Sequence, residues 1–381
     1  MAETRQGAES TTSLRPRLLF LDNLRAVAIV LVVVLHASIT YMAFAPEWWY
    51  VLDPHRSLLF TAIVLLVDVP LMPVLFFVAG YFALPSLQRR GPGGYVREKV
   101  VRIGIPWVVG VVFLAPLATY MTYVSRDIPM GYLEFWKTDF WGSMFQQSVY
   151  WFLGVLFLAF MLVAWMWGTQ PESVRMSEPR PKSPRVQVFV AVVAVTAAWA
   201  IVVAPSFGLD DWQRLGWLFV IQPARLAFYA AYFLLGVYAE RHAWFGAAGY
   251  RPDPWPSGWG CVIAGIVYLG FRWMGDPITF SERAVAAVLF AIFCLAVLIA
   301  GISVFQRAAD RAGGAWRTLA SNAYGIYYIH PLILYPLAYL LVDLNAPAIV
   351  KVTILIVATL VASLAVSALI LRRLPGLRRV F

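Results

Sequence analysis

The sequence has little charge and almost no cysteine. Of its 381 residues, 13% are Asp, Glu, Lys or Arg and 61% are hydrophobic, whereas soluble domains average roughly 25% charged and 45–50% apolar residues. This composition excludes a soluble globular enzyme, and it excludes a disordered chain because the apolar content is far too high. The two cysteines, Cys261 and Cys294, lie in apolar runs. We therefore predict no disulfide framework, no Cys-x-x-Cys redox motif and no metal site.

Phosphate-binding glycine motifs are missing as well. The sequence contains neither Gly-x-x-x-x-Gly-Lys-Ser/Thr nor Gly-x-Gly-x-x-Gly, so nucleotide hydrolysis and dinucleotide binding have no support. It also lacks Gly-x-Ser-x-Gly, which disfavours a covalent serine nucleophile. We expect no permanently bound cofactor.

Long apolar runs dominate what is present. A bilayer core needs about 20 apolar residues per helix, and no stretch shows the alternation of a membrane β-barrel strand. The sequence therefore predicts an all-α polytopic membrane protein with about ten transmembrane helices. The predicted spans lie at about 18–42, 58–84, 102–123, 149–168, 187–205, 218–239, 257–275, 284–304, 320–341 and 347–371.

The basic residues are distributed unevenly between the two sets of loops. With the N-terminus inside, 21 of the 30 Lys and Arg residues fall in inner segments, seven fall in outer loops, and Arg25 and Arg225 fall within spans. Because basic residues are held on the cytoplasmic side, we predict that the N-terminus and the C-terminus are cytoplasmic. The net charge of +10 then orients the helices and does not indicate nucleic-acid binding.

The chain divides into a membrane domain with short flanking segments. We predict a cytoplasmic N-terminal tail at 1–17, a ten-span membrane domain at 18–371 and a basic cytoplasmic tail at 372–381. A Pro- and Arg-rich linker at about 169–186 separates four spans from six. The first apolar run is too long for a signal-peptide core, so we expect it to be a retained anchor.

A few ionisable residues lie where lipid should be. A charged group at mid-membrane costs about 2.5–3.5 kcal/mol on insertion scales, so such residues are functional candidates by default. They are Asp22, Arg25, His36, Asp68, Arg225, Arg272 and His330.

Arg25 and His36 share one helix face, because eleven residues at 100° each return to about 20° after three turns. They are about 16 Å apart along the axis. Two other interpretations stay open: Arg25 extends to the headgroups or pairs with Asp22, and His36 is a hydrogen-bonded bundle residue.

The sequence around these residues resembles that of a known protein family. FLDNLRAVAIVLVVVLH (20–36) is similar to the first-helix signature of the acyltransferase type 3 family, with its Arg and His separated by ten residues. Further segments resemble later motifs of the family in the same order. They are LFFVAGYF (75–82), REKVVRIGIPW (97–107), YWFLGVLF (150–157), YFLLGVYAE (232–240) and ASNAYGIYYIHPLI (320–333).

The resemblance implies an integral-membrane enzyme that moves acyl groups from acyl-CoA to sugars and other hydroxylated acceptors. Acyl transfer needs a base, and a histidine suits this task because its unperturbed pKa lies near 6.5. The resemblance also implies His36 as that base, acting directly or as an acyl relay. Arg25 and Arg102 are the candidates for the CoA phosphates. Asp68 lies at a depth comparable with His36 and could fix the imidazole tautomer; alternatively it pairs with an Arg of the bundle.

Four further residues are candidates for substrate binding. Tyr327 and His330 lie three residues apart on one helix face, where they contact the acceptor or the oxyanion, or only hydrogen-bond the bundle. Arg225 meets a polar acceptor or pairs with Asp210 or Asp211. Trp151 packs in the core or lines an acyl tunnel.

Some members of the family carry a fused hydrolase-like domain, and this chain ends at Phe381 without one. We expect a stand-alone enzyme of the bacterial plasma (inner) membrane that acts alone, as a homo-oligomer or with a separate extracytoplasmic transfer partner. The predicted reaction moves an acyl group, acetyl first and succinyl as the alternative, from acyl-CoA to a hydroxyl of a cell-envelope glycan or glycolipid. The competing prediction is a secondary transporter or a lipid-linked-sugar flippase, although we find no inverted repeat typical of transporters.

Overall fold

The apolar runs of the sequence fold into helices, as predicted. The computed structural model describes residues 18–175, 181–216, 219–246 and 249–381. The predicted tail at 1–17 and residues 176–180 of the predicted linker lie outside these ranges. The α-helices of the described residues are α1 (Leu19–Ile39), α2 (Leu58–Lys99), α3 (Ile105–Val109), α4 (Ala115–Val124), α5 (Tyr132–Lys137), α6 (Trp151–Thr169), α7 (Glu172–Arg175), α8 (Val186–Val203), α9 (Leu226–Arg241), α10 (Pro254–Trp273), α11 (Phe280–Ala308), α12 (Gly314–Leu340) and α13 (Ala348–Val366).

Shorter elements connect some of these helices. Two antiparallel strands, β1 (Gln213–Leu215) and β2 (Phe219–Ile221), form a small hairpin. Three π-helical turns lie at Val100–Gly104, Gly110–Leu114 and Ser367–Leu371, and three 3-10 turns lie at Ser148–Tyr150, Pro223–Arg225 and Leu377–Arg379.

Six helical stretches of the described residues are long and apolar enough to cross a membrane, so the protein is a multi-pass membrane protein and the predicted count of ten spans is not confirmed. One of the six, Leu58–Val124, has 67 residues, or about 100 Å of helix, whereas a bilayer core is about 30 Å thick. Its backbone breaks at Gly91, where φ is 68° and ψ is 166°. The six are Leu19–Ile39, Leu58–Val124, Ser148–Thr169, Val186–Val203, Phe280–Ala308 and Ala348–Leu371.

The predicted span at 218–239 begins later than expected. The hairpin and the turn Pro223–Arg225 come first, and α9 starts only at Leu226. Pro223 has no backbone N–H and suits the first turn of a helix. Arg225 lies at this turn and places its guanidinium among carboxylates. The guanidinium of Arg225 thus finds its carboxylate partners at the end of a helix.

Two glycines let α2 and α9 cross with their backbones in contact. A Cβ at Gly80 would lie 2.0 Å from the Phe233 carbonyl oxygen, and one at Gly236 would lie 2.1 Å from the Phe77 carbonyl oxygen. Small residues allow such close approach between membrane helices. The separate segments LFFVAGYF and YFLLGVYAE are therefore the two sides of one helix crossing.

Candidate active site

His36 and His330 meet although 294 residues separate them in the chain. His36 lies in the last turn of α1, and His330 lies in the middle of α12. His36 Nδ1 is 3.1 Å from His330 Nε2, and the ring centroids are 5.2 Å apart. His330 is fully buried, and His36 is half-buried.

Trp49 covers one face of the His36 ring. It belongs to the loop at 43–57, and its ring stacks on the imidazole with centroids 5.8 Å apart and an interplanar angle of 11°. The indole nitrogen donates to Thr40 Oγ1 at 3.4 Å. Tyr335 of α12 packs edge-on against the same indole. Aromatic residues therefore form part of the wall around the two imidazoles.

The 43–57 loop is held from two other helices. Just beyond α4, the Arg126 guanidinium donates to the Trp49 carbonyl at 3.0 Å. In the first turn of α13, the Lys351 ammonium lies 2.8 Å from the Asp53 carboxylate, and both side chains are fully buried. Lys351 also donates to the Val342 carbonyl at 2.9 Å. These bonds fix the loop that carries Trp49.

Arg25 lies on α1 about three turns before His36, towards the opposite end of the helix. Its guanidinium lies 3.3 Å from Asp22 Oδ1, and its side chain is 42% exposed. Asn23 anchors the same end, since its amide donates to the Ala309 carbonyl at 2.6 Å. Because α1 is continuous from Leu19 to Ile39, Arg25 and His36 keep the shared face that their spacing predicts.

Asp68 binds Arg225, whereas the side chain that hydrogen-bonds His36 is His330. Asp68 Oδ2 lies 2.6 Å from the Arg225 guanidinium, so the geometry expected for a carboxylate that fixes the His36 tautomer is not found. Asp68 instead pairs with an arginine of the bundle, which is the alternative interpretation given above. Arg225 also pairs with Asp210, which in turn lies 2.9 Å from Arg272.

Asp210 is held as a carboxylate by two arginines. It lies in the loop between α8 and β1, outside the apolar spans. Burial alone would raise the pKa of Asp210, but the charges of Arg225 and Arg272 outweigh this effect and lower the pKa below its usual range. Arg225 is 3% exposed and Arg272 9% exposed. Arg272 also lies 2.9 Å from Asp276. The carboxylates therefore compensate the charges of two buried guanidinium groups.

The hydroxyl of Tyr327 is used within the bundle. It donates to the backbone carbonyl of Val149, just before α6, and Tyr327 is 2% exposed. Trp151, at the start of α6, packs against Trp212 and Tyr229 with ring centroids 5.2 Å and 5.4 Å apart. Tyr327 therefore packs beside His330, whereas the ring contacts of Trp151 are with other aromatic residues.

Arg102 lies in the π-helical turn after α2, with its side chain 47% exposed. Its guanidinium is 3.5 Å from Glu98 and donates to the Val380 carbonyl at 3.3 Å. The Arg102 carbonyl accepts a hydrogen bond from the Tyr324 hydroxyl at 2.7 Å. Pro106 lacks the N–H that would pair with this carbonyl in a regular α-helix. A half-exposed guanidinium is thus presented on a segment fixed by α12.

The sequence model of an acyltransferase domain, that of the acyltransferase type 3 family, matches residues 18–372. The chain belongs to the acyltransferase type 3 family. It is therefore an O-acyltransferase embedded in a membrane, and the resemblance of its motifs is confirmed across nearly the whole sequence.

Two curated relatives of this acyltransferase share a name. The glucans biosynthesis protein C of Salmonella gallinarum is 23% identical over 360 residues, which cover 85% of this chain and 84% of that protein. The protein of the same name from Escherichia coli K12 is 23% identical over 227 residues, covering 58% of this chain and 57% of that protein.

Two residues of the candidate site are not among those predicted from the sequence. Nothing in the local sequence distinguishes Trp49, whose ring stacks on His36, from the neighbouring Trp48 and Tyr50. Lys351 lies at the start of an apolar run, and its burial shows only in the structure. His330 itself is among the residues predicted from the sequence. A buried imidazole in an apolar helix needs a hydrogen-bond partner for its ring, but the sequence does not show which residue that partner is.

Proposed function

We propose that the protein transfers an acyl group, acetyl first and succinyl as the alternative, from acyl-CoA to a hydroxyl of a cell-envelope glycan or glycolipid. The observation that carries this proposal is the pair His36 and His330 at one end of α1, with Arg25 on the same helix about 16 Å away. A pantetheine arm spans a similar distance. The thioester can then reach His36 while the phosphates of CoA stay near Arg25.

The proposed chemistry needs a base and a leaving thiolate. His36 takes the proton of the acceptor hydroxyl as its oxygen attacks the thioester carbonyl carbon. The C–S bond then breaks, and the thiolate of CoA takes the proton from the His36 imidazolium. The products are an acyl ester and free CoA. An acyl group carried transiently on His36 is the competing route, and it uses the same imidazole nitrogen.

The two ends of α1 are assigned to opposite sides of the membrane. The excess of Lys and Arg in alternate loops supports cytoplasmic termini in the bacterial inner membrane. Arg25 and the half-exposed Arg102 then face cytoplasmic CoA, because guanidinium groups suit phosphate oxygens. His36 lies in the outer half of the bilayer. The donor is therefore bound from inside, and the acyl group leaves towards the outside.

The acceptor is proposed from the names of the relatives. Two curated relatives are called glucans biosynthesis protein C, which makes a glucan hydroxyl the first acceptor to test. We retain the proposal that Trp151, Tyr327 and Arg225 contribute to binding of the acceptor. For Tyr327 and Arg225 that contribution is indirect, since each already has a partner within the bundle.

The test uses purified protein in liposomes with radiolabelled acetyl-CoA and a soluble glucan. We expect CoA release that depends on the glucan, and label in an alkali-labile ester on the glucan. Succinyl-CoA in a parallel reaction compares the two donors. Protein that binds no CoA and releases none, with either donor, would contradict the proposal. Label that stays on protein in the absence of glucan, and is lost in His36→Ala, would favour the relay.

A further inference from the structure

The ring of His330 makes two directional contacts. Its Nδ1 lies 2.7 Å from the Tyr327 carbonyl oxygen, and its Nε2 lies 3.1 Å from His36 Nδ1. A carbonyl oxygen can only accept a hydrogen bond, so Nδ1 of His330 carries the proton. A neutral imidazole has one N–H. Nε2 of His330 is then an acceptor that faces His36.

Pro331 explains why the Tyr327 carbonyl is available. In an α-helix the carbonyl of residue 327 would pair with the N–H of residue 331, and proline has none. α12 continues through Pro331 as far as Leu340. The vacant carbonyl is satisfied by the side chain of the residue just before the proline. The dipeptide His330-Pro331 thus fixes which ring nitrogen of His330 is protonated.

We infer that His330 and Pro331 set the tautomer of His36, with the proton on Nδ1 and a free lone pair on Nε2. Two unprotonated nitrogens 3.1 Å apart would not bond, so His36 Nδ1 donates to His330 Nε2. His36 Nε2 is left as the basic nitrogen. This inference rests on the proposed role of His36, because either general-base attack or an acyl relay needs that lone pair. His330 is a positioning residue that acts through His36.

This arrangement performs a task that a carboxylate performs in other histidine-centred sites. Asp68 is engaged by Arg225 at 2.6 Å, and His330 occupies the position next to His36 Nδ1. A neutral acceptor suits a buried site, because a carboxylate there would have to be desolvated. When His36 gains a proton on Nε2, its Nδ1–H bond to His330 becomes charge-assisted and stronger.

Three substitutions at His330 separate this role from packing. In His330→Gln a side-chain carbonyl reaches the position of Nε2 and keeps an acceptor for His36. Asn is one bond shorter and does not reach, and Phe keeps the ring shape without an acceptor. We expect kcat to fall less than about tenfold in His330→Gln and about 100-fold or more in His330→Asn and His330→Phe, with KM for acetyl-CoA unchanged.

A second pair of variants tests the proline. Pro331→Ala restores an N–H that competes for the Tyr327 carbonyl, so His330 loses its fixed tautomer and kcat falls. Pro336→Ala is the matched control, because Pro336 lies in the same helix one turn further on. We expect its kcat to equal that of wild type.

The decisive readout is solid-state 15N NMR of histidine-labelled protein in lipid. The chain has four histidines, and His36→Gln and His330→Gln assign the two relevant rings by difference. We expect His36 and His330 both in the Nδ1–H form, and a mixture of forms for His36 in His330→Phe. An Nε2–H form of His36 in the wild type would overturn the inference, as would wild-type kcat in folded His330→Asn.

The outcomes for the inference and for the proposed function are distinct. If His36→Gln is inactive while all three His330 variants are equally active, His36 is the base and His330 does not position it. If His36→Gln keeps wild-type activity, the proposed role of His36 is wrong, and the inference about its tautomer falls with it. If the wild-type protein neither binds CoA nor releases it, the proposed function itself is wrong.

Discussion

Lys351 and Asp53 form an ion pair, 2.8 Å long, in which both side chains are fully buried. Removal of one partner leaves a buried charge uncompensated, which costs about 3–5 kcal/mol. Lys351→Met should therefore lower the melting temperature strongly. It should also lower activity, because Asp53 lies in the loop that carries Trp49. Thermal unfolding in detergent and the transfer assay check both effects.

The double variant provides the internal comparison. Asp53→Asn combined with Lys351→Met removes both charges, and we expect it to recover much of the stability lost in the single variant. Lys137→Met, on an exposed side chain, should leave the melting temperature unchanged. A single variant as stable as wild type would show that the pair does not hold the loop.

The crossing of α2 and α9 predicts a strong effect of one methyl group. Gly80→Ala and Gly236→Ala would each drive a Cβ to about 2 Å from a backbone carbonyl oxygen. Overpacking of this kind costs about 1–3 kcal/mol and occasionally more. We expect a lower yield of monodisperse protein and a lower melting temperature for both variants.

Gly270 is the matched control for these glycines. It lies in α10, and an added Cβ would meet nothing within 4 Å. Gly270→Ala should be neutral or stabilising by up to about 1 kcal/mol. Equal effects of alanine at Gly80 and Gly270 would contradict the close crossing.

We expect substitution of Asp68 to have a different effect from substitution of His330. Its carboxylate pairs with Arg225, so Asp68→Asn should lower the melting temperature while kcat of the folded fraction stays within about tenfold of wild type. A carboxylate that fixed the His36 tautomer would cost far more, about 10⁴-fold in kcat for the corresponding change in a serine protease. Steady-state kinetics corrected for the folded fraction distinguish the two roles.

The lowered pKa of Asp210 predicts that the folded protein loses stability in acid. Because its pKa is lowered in the folded protein, its carboxylate stabilises the fold above the ordinary Asp pKa near 3.9, and this contribution is lost as the pH falls through the lowered value. We expect the melting temperature to fall between about pH 5 and about pH 3. The fall should be smaller in Asp210→Asn than in Asp211→Asn. Identical acid profiles for the two variants would contradict the arginine contacts.

The sequence was most informative where the physical cause is local. Apolar runs predict the helices because the backbone N–H and C=O groups of a run inside a bilayer must hydrogen-bond to one another. Helical periodicity placed Arg25 and His36 on one face because both lie on α1. The family motifs pointed to His36 and to the late helix that contains His330.

Long-range contacts were not predictable in the same way. Nothing near His36 indicates that its partner lies 294 residues away, and Asp68 was an equally reasonable candidate by depth. The predicted count of ten spans is not confirmed for a related reason. α9, α10 and α12 are not among the six stretches of the described residues that qualify as spans. α9 has only 16 residues, and polar residues such as Arg272 and Asn322 lower the mean hydropathy of α10 and α12.

The central claim is that His36 performs the acyl transfer, and its most direct test is the rate of the labelled reaction in His36→Gln. His242→Gln is the matched control, since His242 lies just after α9, where its Nδ1 meets the Tyr238 carbonyl. We predict that His36→Gln folds, binds acetyl-CoA and loses about 10²-fold to 10⁴-fold in rate, while His242→Gln matches wild type. A folded His36→Gln protein with a rate within tenfold of wild type would contradict the account.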